Sequence, residues 1–284
     1  METLLVCLAF VIFSALPLKA SSGLGGRLLR RIGPLLPSHK VAVQNLARAL
    51  PERAGEHAAI LAAMWDNLGR TMAEYAKLKL LGAVPQVEVE GGEHVAAVIA
   101  GGKPAIFFAG HLANWEVPAR VVKALGLELA LVYRAPNNRG VDWLLRRARL
   151  PVTRTLIPKG GEGAKTMIRL LQSGHSIGML VDQKMNDGIA VPFFGRKAMT
   201  APAMVKVAEK YGIPLYPVRC ERLNGPHFRV TILPRFILPS TGDKSADTLQ
   251  AMTAINTMLE GWIRARPAEW LWVHRRWPKE GEAA

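Results

Sequence analysis

The sequence predicts an α/β fold with a mostly parallel central sheet flanked by helices, and three observations carry that prediction. Strand-like and helical runs alternate from residue 85 onward, as they do where parallel strands are joined by helical crossovers. The chain has 284 residues, half of them hydrophobic, enough to bury one full core but at the upper edge of a single domain with appendages. No internal repeat, low-complexity tract or linker divides it.

The N-terminal stretch reads differently from the rest. Residues 3–20, TLLVCLAFVIFSALPLKA, hold an apolar run from Leu4 to Leu18 interrupted by Ser14. As a helix this stretch is about 27 Å long, just enough to span a bilayer. No basic residue precedes it and no small-x-small cleavage site comes after it, which favours an uncleaved N-terminal transmembrane anchor, residues 1–20, over a signal peptide. Lys19, Arg27, Arg30, Arg31 and Lys40 lie on its C-terminal side, which places the remainder of the chain in the cytoplasm. LGGRLLRRIGPLLP mixes leucine with arginine as an interfacial helix does. Residues 21–84 are therefore expected to be a helical interfacial segment, with Pro51 dividing two helices between Ser38 and Leu81.

Residues 85–284 form the expected α/β domain. QVEVE, AIFFAG, LALVYR, TRTLI, SIGMLVDQ, IAVPFF and PLYPVRC read as strands. Helical runs fall around 93–100, 114–125, 139–149, 163–173 and 201–211. HFRVTILPRF adds a strand antiparallel to its predecessor, and 247–266 is a long closing helix.

Composition narrows the function. Lys and Arg outnumber Asp and Glu by 37 to 22, a formal charge of +15 on an apolar protein, which suits an anionic membrane, an acidic protein or nucleic acid. Basic-aromatic RNA-binding strings and zinc-finger spacing are missing, so nucleic acid is not the expected partner. Cys7 and Cys220, far apart, supply neither a disulfide framework nor a zinc cluster. No metal and no cofactor is expected.

The most informative stretch is AIFFAGHLANWEVPARVVKALG, residues 105–126. An apolar strand runs through a glycine into His111, and a helix opens near Asn114 with Glu116 in its first turn. On one continuous helix the five-residue spacing would set the two side chains about 140° apart, so they meet only because the helix starts between them. A carboxylate at a helix N-terminus is held ionised and can fix the tautomer of a neighbouring imidazole. His111 and Glu116 thus read as a His-acid dyad at the carboxyl edge of a sheet, where open α/β folds bind ligands. The bland alternative is a loop histidine beside a dipole-capping glutamate.

Two decoys fall away. GHSIG, residues 174–178, matches a nucleophile elbow, but helix precedes it and strand succeeds it, the reverse of the required order. GGEGAKT, residues 160–166, has Ala164 where a phosphate loop needs glycine.

GHLANWE is followed by LVYR (131–134), DQ (182–183), VPFFG (191–195) with Thr200 entering a helix, GIPLYPV (212–218) and WLWVHRRW (270–277). In that order they resemble the lipid A biosynthesis late acyltransferases, the Kdo2-lipid A lauroyl/myristoyl acyltransferase-like family, over nearly the whole chain. The resemblance implies a glycerolipid acyltransferase-like fold and a single-pass enzyme of the bacterial inner membrane, catalytic on its cytoplasmic face. Its donor would be acyl carrier protein and its acceptor an anionic glycolipid, a hydroxyl of a Kdo-modified lipid A precursor. His111 and Glu116 would be catalytic, and Arg134, Asp182, Gln183, Phe194, Gly195 and Thr200 would bind substrate. His274, Arg275 and Arg276 form a basic cluster suited to headgroups or to the carrier protein.

The chemistry fits. A fatty hydroxyl attacks a thioester slowly at neutral pH, and an imidazole base that removes its proton is worth about 10² to 10⁴ in rate. No serine or cysteine lies in the motif, which favours direct transfer. Backbone N–H groups opening helix 114–125, or Arg134, are the expected oxyanion donors. An acyltransferase for another glycolipid, such as a phosphatidylinositol mannoside, and a non-enzymatic lipid-binding membrane protein are the two alternatives.

Overall fold

A computed structural model describes residues 2–82 and 86–278; the expected boundary at 84/85 lies outside them. Four helices come first: α1 (Glu2–Ala15), α2 (Leu18–Ile32), α3 (Ser38–Ala49) and α4 (His57–Glu74). The apolar N-terminal run is thus not one helix. Pro17 has no N–H to donate and its ring clashes with the carbonyl four residues back, so the chain breaks at Leu16–Pro17. The 14 residues of α1 reach only about 21 Å, against roughly 30 Å of bilayer hydrocarbon. Among the described residues no helix is long and apolar enough to cross a membrane. This corrects the expected transmembrane anchor.

α2 packs on α4 through small residues. Gly25 and Gly26 face Gly69, Ala73 and Asp66 so closely that a Cβ on Gly25 would lie 2.5 Å from the Gly69 carbonyl oxygen. Gly33 lies flat on the Trp65 indole in the same way. The buried side of α2 is therefore Ser21, Ser22, Gly25 and Gly26, and its larger apolar side chains, Leu24, Leu28 and Ile32, are exposed.

The strands are β1 (Val87–Glu90), β2 (Ile106–Ala109), β3 (Leu129–Tyr133), β4 (Leu156–Pro158), β5 (Ser176–Leu180), β6 (Ile189–Phe193), β7 (Arg196–Thr200), β8 (Leu215–Asn224) and β9 (His227–Ile232). Seven form one sheet in the order β1-β9-β8-β2-β5-β3-β4. Every neighbouring pair in it is parallel except β8–β9, the hairpin expected from HFRVTILPRF. Every residue of β2 is buried, as expected of a central strand covered on both faces and written as a continuous apolar run. The crossover helices are α5 (Gly92–Gly101), α6 (Val117–Ala124), α7 (Arg139–Arg149), α8 (Gly161–Gln172) and α9 (Ala203–Tyr211), and α10 (Lys244–Ala265) closes the fold.

IAVPFF leaves this sheet. It pairs with Arg196–Thr200 in a separate antiparallel hairpin, closed by a two-residue turn in which Phe194 and Gly195 have φ of 50° and 70°. Turns with both central residues at positive φ match the twist of a hairpin. Thr200 consequently ends β7 instead of entering a helix, and α9 begins at Ala203.

Candidate active site

Register brings the chemistry together. β2 and β5 are parallel neighbours with Ala109 opposite Leu180. Two residues further along each strand, at the same edge of the sheet, stand His111 and Asp182. The Asp182 carboxylate accepts the His111 Nδ1 hydrogen at 2.7 Å with Oδ1, and with Oδ2 it accepts the His111 backbone N–H at 2.8 Å. Oδ2 also accepts the Trp270 indole N–H at 2.7 Å. Asp182 is 2% exposed. Burial by itself would raise its pKa, but the His111 charge and these hydrogen bonds outweigh it and hold the carboxyl well below the usual carboxylate range. An ionised acceptor on Nδ1 fixes the hydrogen of a neutral His111 there and leaves Nε2 as the acceptor.

The C-terminal tryptophan segment holds this loop. Ala113 N–H donates to Glu269 O and Leu271 N–H to His111 O, so residues 269–271 run beside residues 111–113 like a short antiparallel strand. Ala113 takes φ 51° there, a conformation that costs a non-glycine residue on the order of 1 kcal/mol. Asn67 and Thr71 of α4 donate to its carbonyl.

The expected bond between His111 and Glu116 is absent. α6 begins only at Val117, so Glu116 precedes the first turn, and Asn114 Oδ1 accepts its backbone N–H at 3.1 Å. Its carboxylate points to Arg149, whose Nε lies 3.0 Å from both oxygens and whose Nη2 lies 2.6 Å from Oε1. Tyr75 OH donates to the same Oε1 and accepts from Arg149 Nη2 at 2.8 Å. A guanidinium fork matches a carboxylate better than an imidazole does, and it arrives from α7, 33 residues downstream. The partner that orients the His111 imidazole is thus Asp182.

Both clusters border one cavity of about 530 Å³ between α6 and the sheet. Its apolar wall includes Phe107, Val122, Leu129, Leu131 and Leu180, and its polar rim holds His111, Glu116, Arg134, Lys159, Gln183 and His274. Gly178 opens the floor: it pairs with Phe107 and Leu131, and a Cβ there would meet Leu131 Cδ2 at 2.5 Å. At the rim, Lys159 Nζ donates to Gln183 Oε1 at 2.9 Å, which turns the Gln183 amide nitrogen toward His111 Nε2 at 3.2 Å. Burial, and then the Arg134 charge, lower the Lys159 pKa. His274 lies with its ring centroid 6.1 Å from that of His111. Burial and the His111 charge pull its imidazole down to about 4, with Asp182 opposing.

Of the residues expected to bind substrate, Arg134 and Gln183 line this cavity and Asp182 stands behind His111. Phe194, Gly195 and Thr200 do not line it. Phe194 packs edge-on against Phe193 and Trp277, and Thr200 is buried, its hydroxyl accepting from Arg276 Nη2 at 2.8 Å. Their sequence signal is the aromatic pair, which reads equally as core. Ser176 simply opens β5, and its hydroxyl accepts Ala105 N–H. Tyr75, Arg149 and Lys159 carry no local signal, since each reaches the site from a different element. The expected oxyanion donors are partly spent, because the N–H groups of Ala113, Glu116 and Val117 already have acceptors.

Residues 2–279 match the family model described as bacterial lipid A biosynthesis acyltransferase. The chain is 26% identical over 258 residues to the lipid A biosynthesis myristoyltransferase of Escherichia coli (strain K12), covering 87% of this chain and 77% of that protein. It is 24% identical over 279 residues to the lipid A biosynthesis palmitoleoyltransferase of the same organism, covering 92% and 86%. Against the lauroyltransferase the figures are 27% over 199 residues, covering 69% and 63%. With a family match over nearly its whole length, the chain belongs to the bacterial lipid A biosynthesis acyltransferases and is an acyltransferase.

Proposed function

We propose that this enzyme transfers a fatty acyl chain from the thioester of acyl carrier protein to a hydroxyl of a Kdo-modified lipid A precursor, with His111 as general base. The observation that carries this reading is the 2.7 Å bond from His111 Nδ1 to a buried, ionised Asp182, beside an apolar cavity. Nε2 takes the hydroxyl proton as the oxygen attacks the thioester carbonyl; Asp182 stabilises the imidazolium that forms. Collapse of the tetrahedral intermediate breaks the C–S bond, and the thiolate leaves with the proton from Nε2. The Gln183 amide occupies the Nε2 position now and yields it to the acceptor hydroxyl. Arg134 and Lys159 supply positive charge for the oxyanion or for the phosphates of an anionic glycolipid.

Glu116 and Arg149 act in this scheme as a fixed wall of the acyl cavity. The exposed Leu4, Leu5 and Leu8 of α1 and Leu24 and Leu28 of α2 support attachment to a membrane surface, in this reading the cytoplasmic face of the inner membrane. Two measurements test the proposal. Purified His111→Ala with acyl carrier protein and precursor should retain acceptor binding and lose turnover by at least about 10²-fold; near-normal turnover removes His111 from the mechanism. Intact-mass analysis of lipid A with and without the gene should differ by one acyl group. An unchanged lipid A with an altered second glycolipid would move the acceptor to that glycolipid.

A further inference from the structure

α7 carries an outward face that the acyl-transfer chemistry does not use. Arg139, Trp143, Arg146, Arg147 and Leu150 are all exposed, and at 100° per residue they fall within an arc of about 100°. The opposite side holds Leu144, buried, with Leu145 and Ala148 packed on the core beneath. Trp143 is 62% exposed and Leu150 50%. Arg139 and Arg147 make no ion pair among the described residues; Arg146 pairs with Asp142 at 2.8 Å. A tryptophan on the same helix face as these arginines leaves, in water, most of an aromatic surface unburied and Arg139 and Arg147 without ion pairs among the described residues. At a membrane interface the indole sits at headgroup level and the guanidinium groups reach the phosphates.

The neighbouring element favours lipid over an acidic protein. α1 packs against the start of α7: the Thr3 hydroxyl donates to Asn138 Oδ1 at 2.9 Å, and Thr3 lies so close to Gly140 that a Cβ there would collide with its methyl group. α1 itself exposes Leu4, Leu5, Leu8, Val11 and Ile12, a single uncharged stripe. The basic-aromatic face of α7 therefore belongs to a helix that packs against one exposing apolar side chains, which suits acyl chains beside headgroups. The cavity rim, at Arg134, Ala135, Pro136 and Asn137, leads directly into α7.

We propose that α7 is a docking face for an anionic lipid surface, seated through Trp143 and held by Arg139 and Arg147, so that the cavity mouth opens at headgroup level. The proposal rests on the acceptor being a membrane lipid, but its test needs neither donor nor acceptor. In a Cys7→Ser background, where the remaining Cys220 is buried, Trp143→Cys is labelled with the fluorophore NBD. Mixing the full chain with phosphatidylcholine/phosphatidylglycerol vesicles should shift the emission to the blue and raise it several-fold, with a much smaller change for phosphatidylcholine alone. Arg139→Glu with Arg147→Glu should lower partitioning by about tenfold or more. Reversal of the exposed Lys165 and Arg169 on α8 should lower it far less. A silent probe at 143 while one at Leu8→Cys responds would overturn the proposal. So would equal losses from the two charge reversals, or a response to purified acyl carrier protein and not to vesicles. Acyl transfer measured alongside is independent: loss of turnover leaves the vesicle result standing, and a silent probe leaves the mechanism standing.

Discussion

Two buried carboxylates stand at the same edge of the sheet and are satisfied in opposite ways. Asp182 is surrounded by an imidazole and two N–H groups, none of them a permanent cation. Glu116 is locked by a guanidinium and a phenol. The first arrangement leaves one proton free to move when His111 changes state. The second has no exchangeable partner: burial alone would lower the Arg149 pKa, but the Glu116 charge outweighs it and leaves the guanidinium above its ordinary, already high, value, and Tyr75 is pushed up by burial and by Glu116. The difference separates a group that can assist proton transfer from one that holds architecture.

The contrast is broken most directly by paired substitutions. Asp182→Asn should lower kcat by about 10² to 10⁴, since the imidazole loses its tautomer and its counter-charge. Glu116→Gln should cost much less turnover. If purified, folded Glu116→Gln loses as much as Asp182→Asn, the assignment of roles is wrong.

Stability should show the reverse order. Arg149→Ala strands a buried carboxylate, an expected loss of about 3 to 5 kcal/mol in denaturant unfolding. A loss under about 1 kcal/mol would mean that Glu116 reaches water or another partner.

The pH dependence sharpens the Asp182 side. Its folded pKa is depressed, so its contribution to stability is fully present above the unfolded value of about 3.9 and is lost as pH falls below that. The stability gap between wild type and Asp182→Asn should shrink as pH falls from about 4 toward about 2. A gap that widens between about pH 4 and 2 would contradict the ionised carboxylate.

The smallest effect concerns the cavity between the two clusters. Gly178→Val intrudes on Leu131 and Leu129, and should cut kcat/KM for the longest acyl donors about tenfold more than for short ones. An equal loss across chain lengths would place the acyl chain elsewhere.

Particular residues explain what is legible in the sequence. His111 is readable because a four-residue apolar strand and a glycine precede it and a helix comes soon after, all within one local stretch. The β8–β9 hairpin is readable for the same reason. Glu116 misleads because it is near His111 in sequence, whereas Arg149 and Tyr75 reach it across 33 and 41 residues. Asp182 and Gln183 are visible as the end of a strand, but their roles depend on which strand lies next to β2. The N-terminal span is overread when an apolar count passes over Pro17, where the helix stops.

The alternation of strands and helices, the strand-end placement of His111 and the motifs of an acyltransferase family are legible in the residues alone, because periodicity and local order are written within short windows. The folded arrangement adds that Asp182 orients the imidazole, that Arg149 claims Glu116, and that α1 packs against the start of α7. Those pairings come from strand order and helix docking, which join residues 71, 33 and 135 positions apart through the packing of the whole sheet.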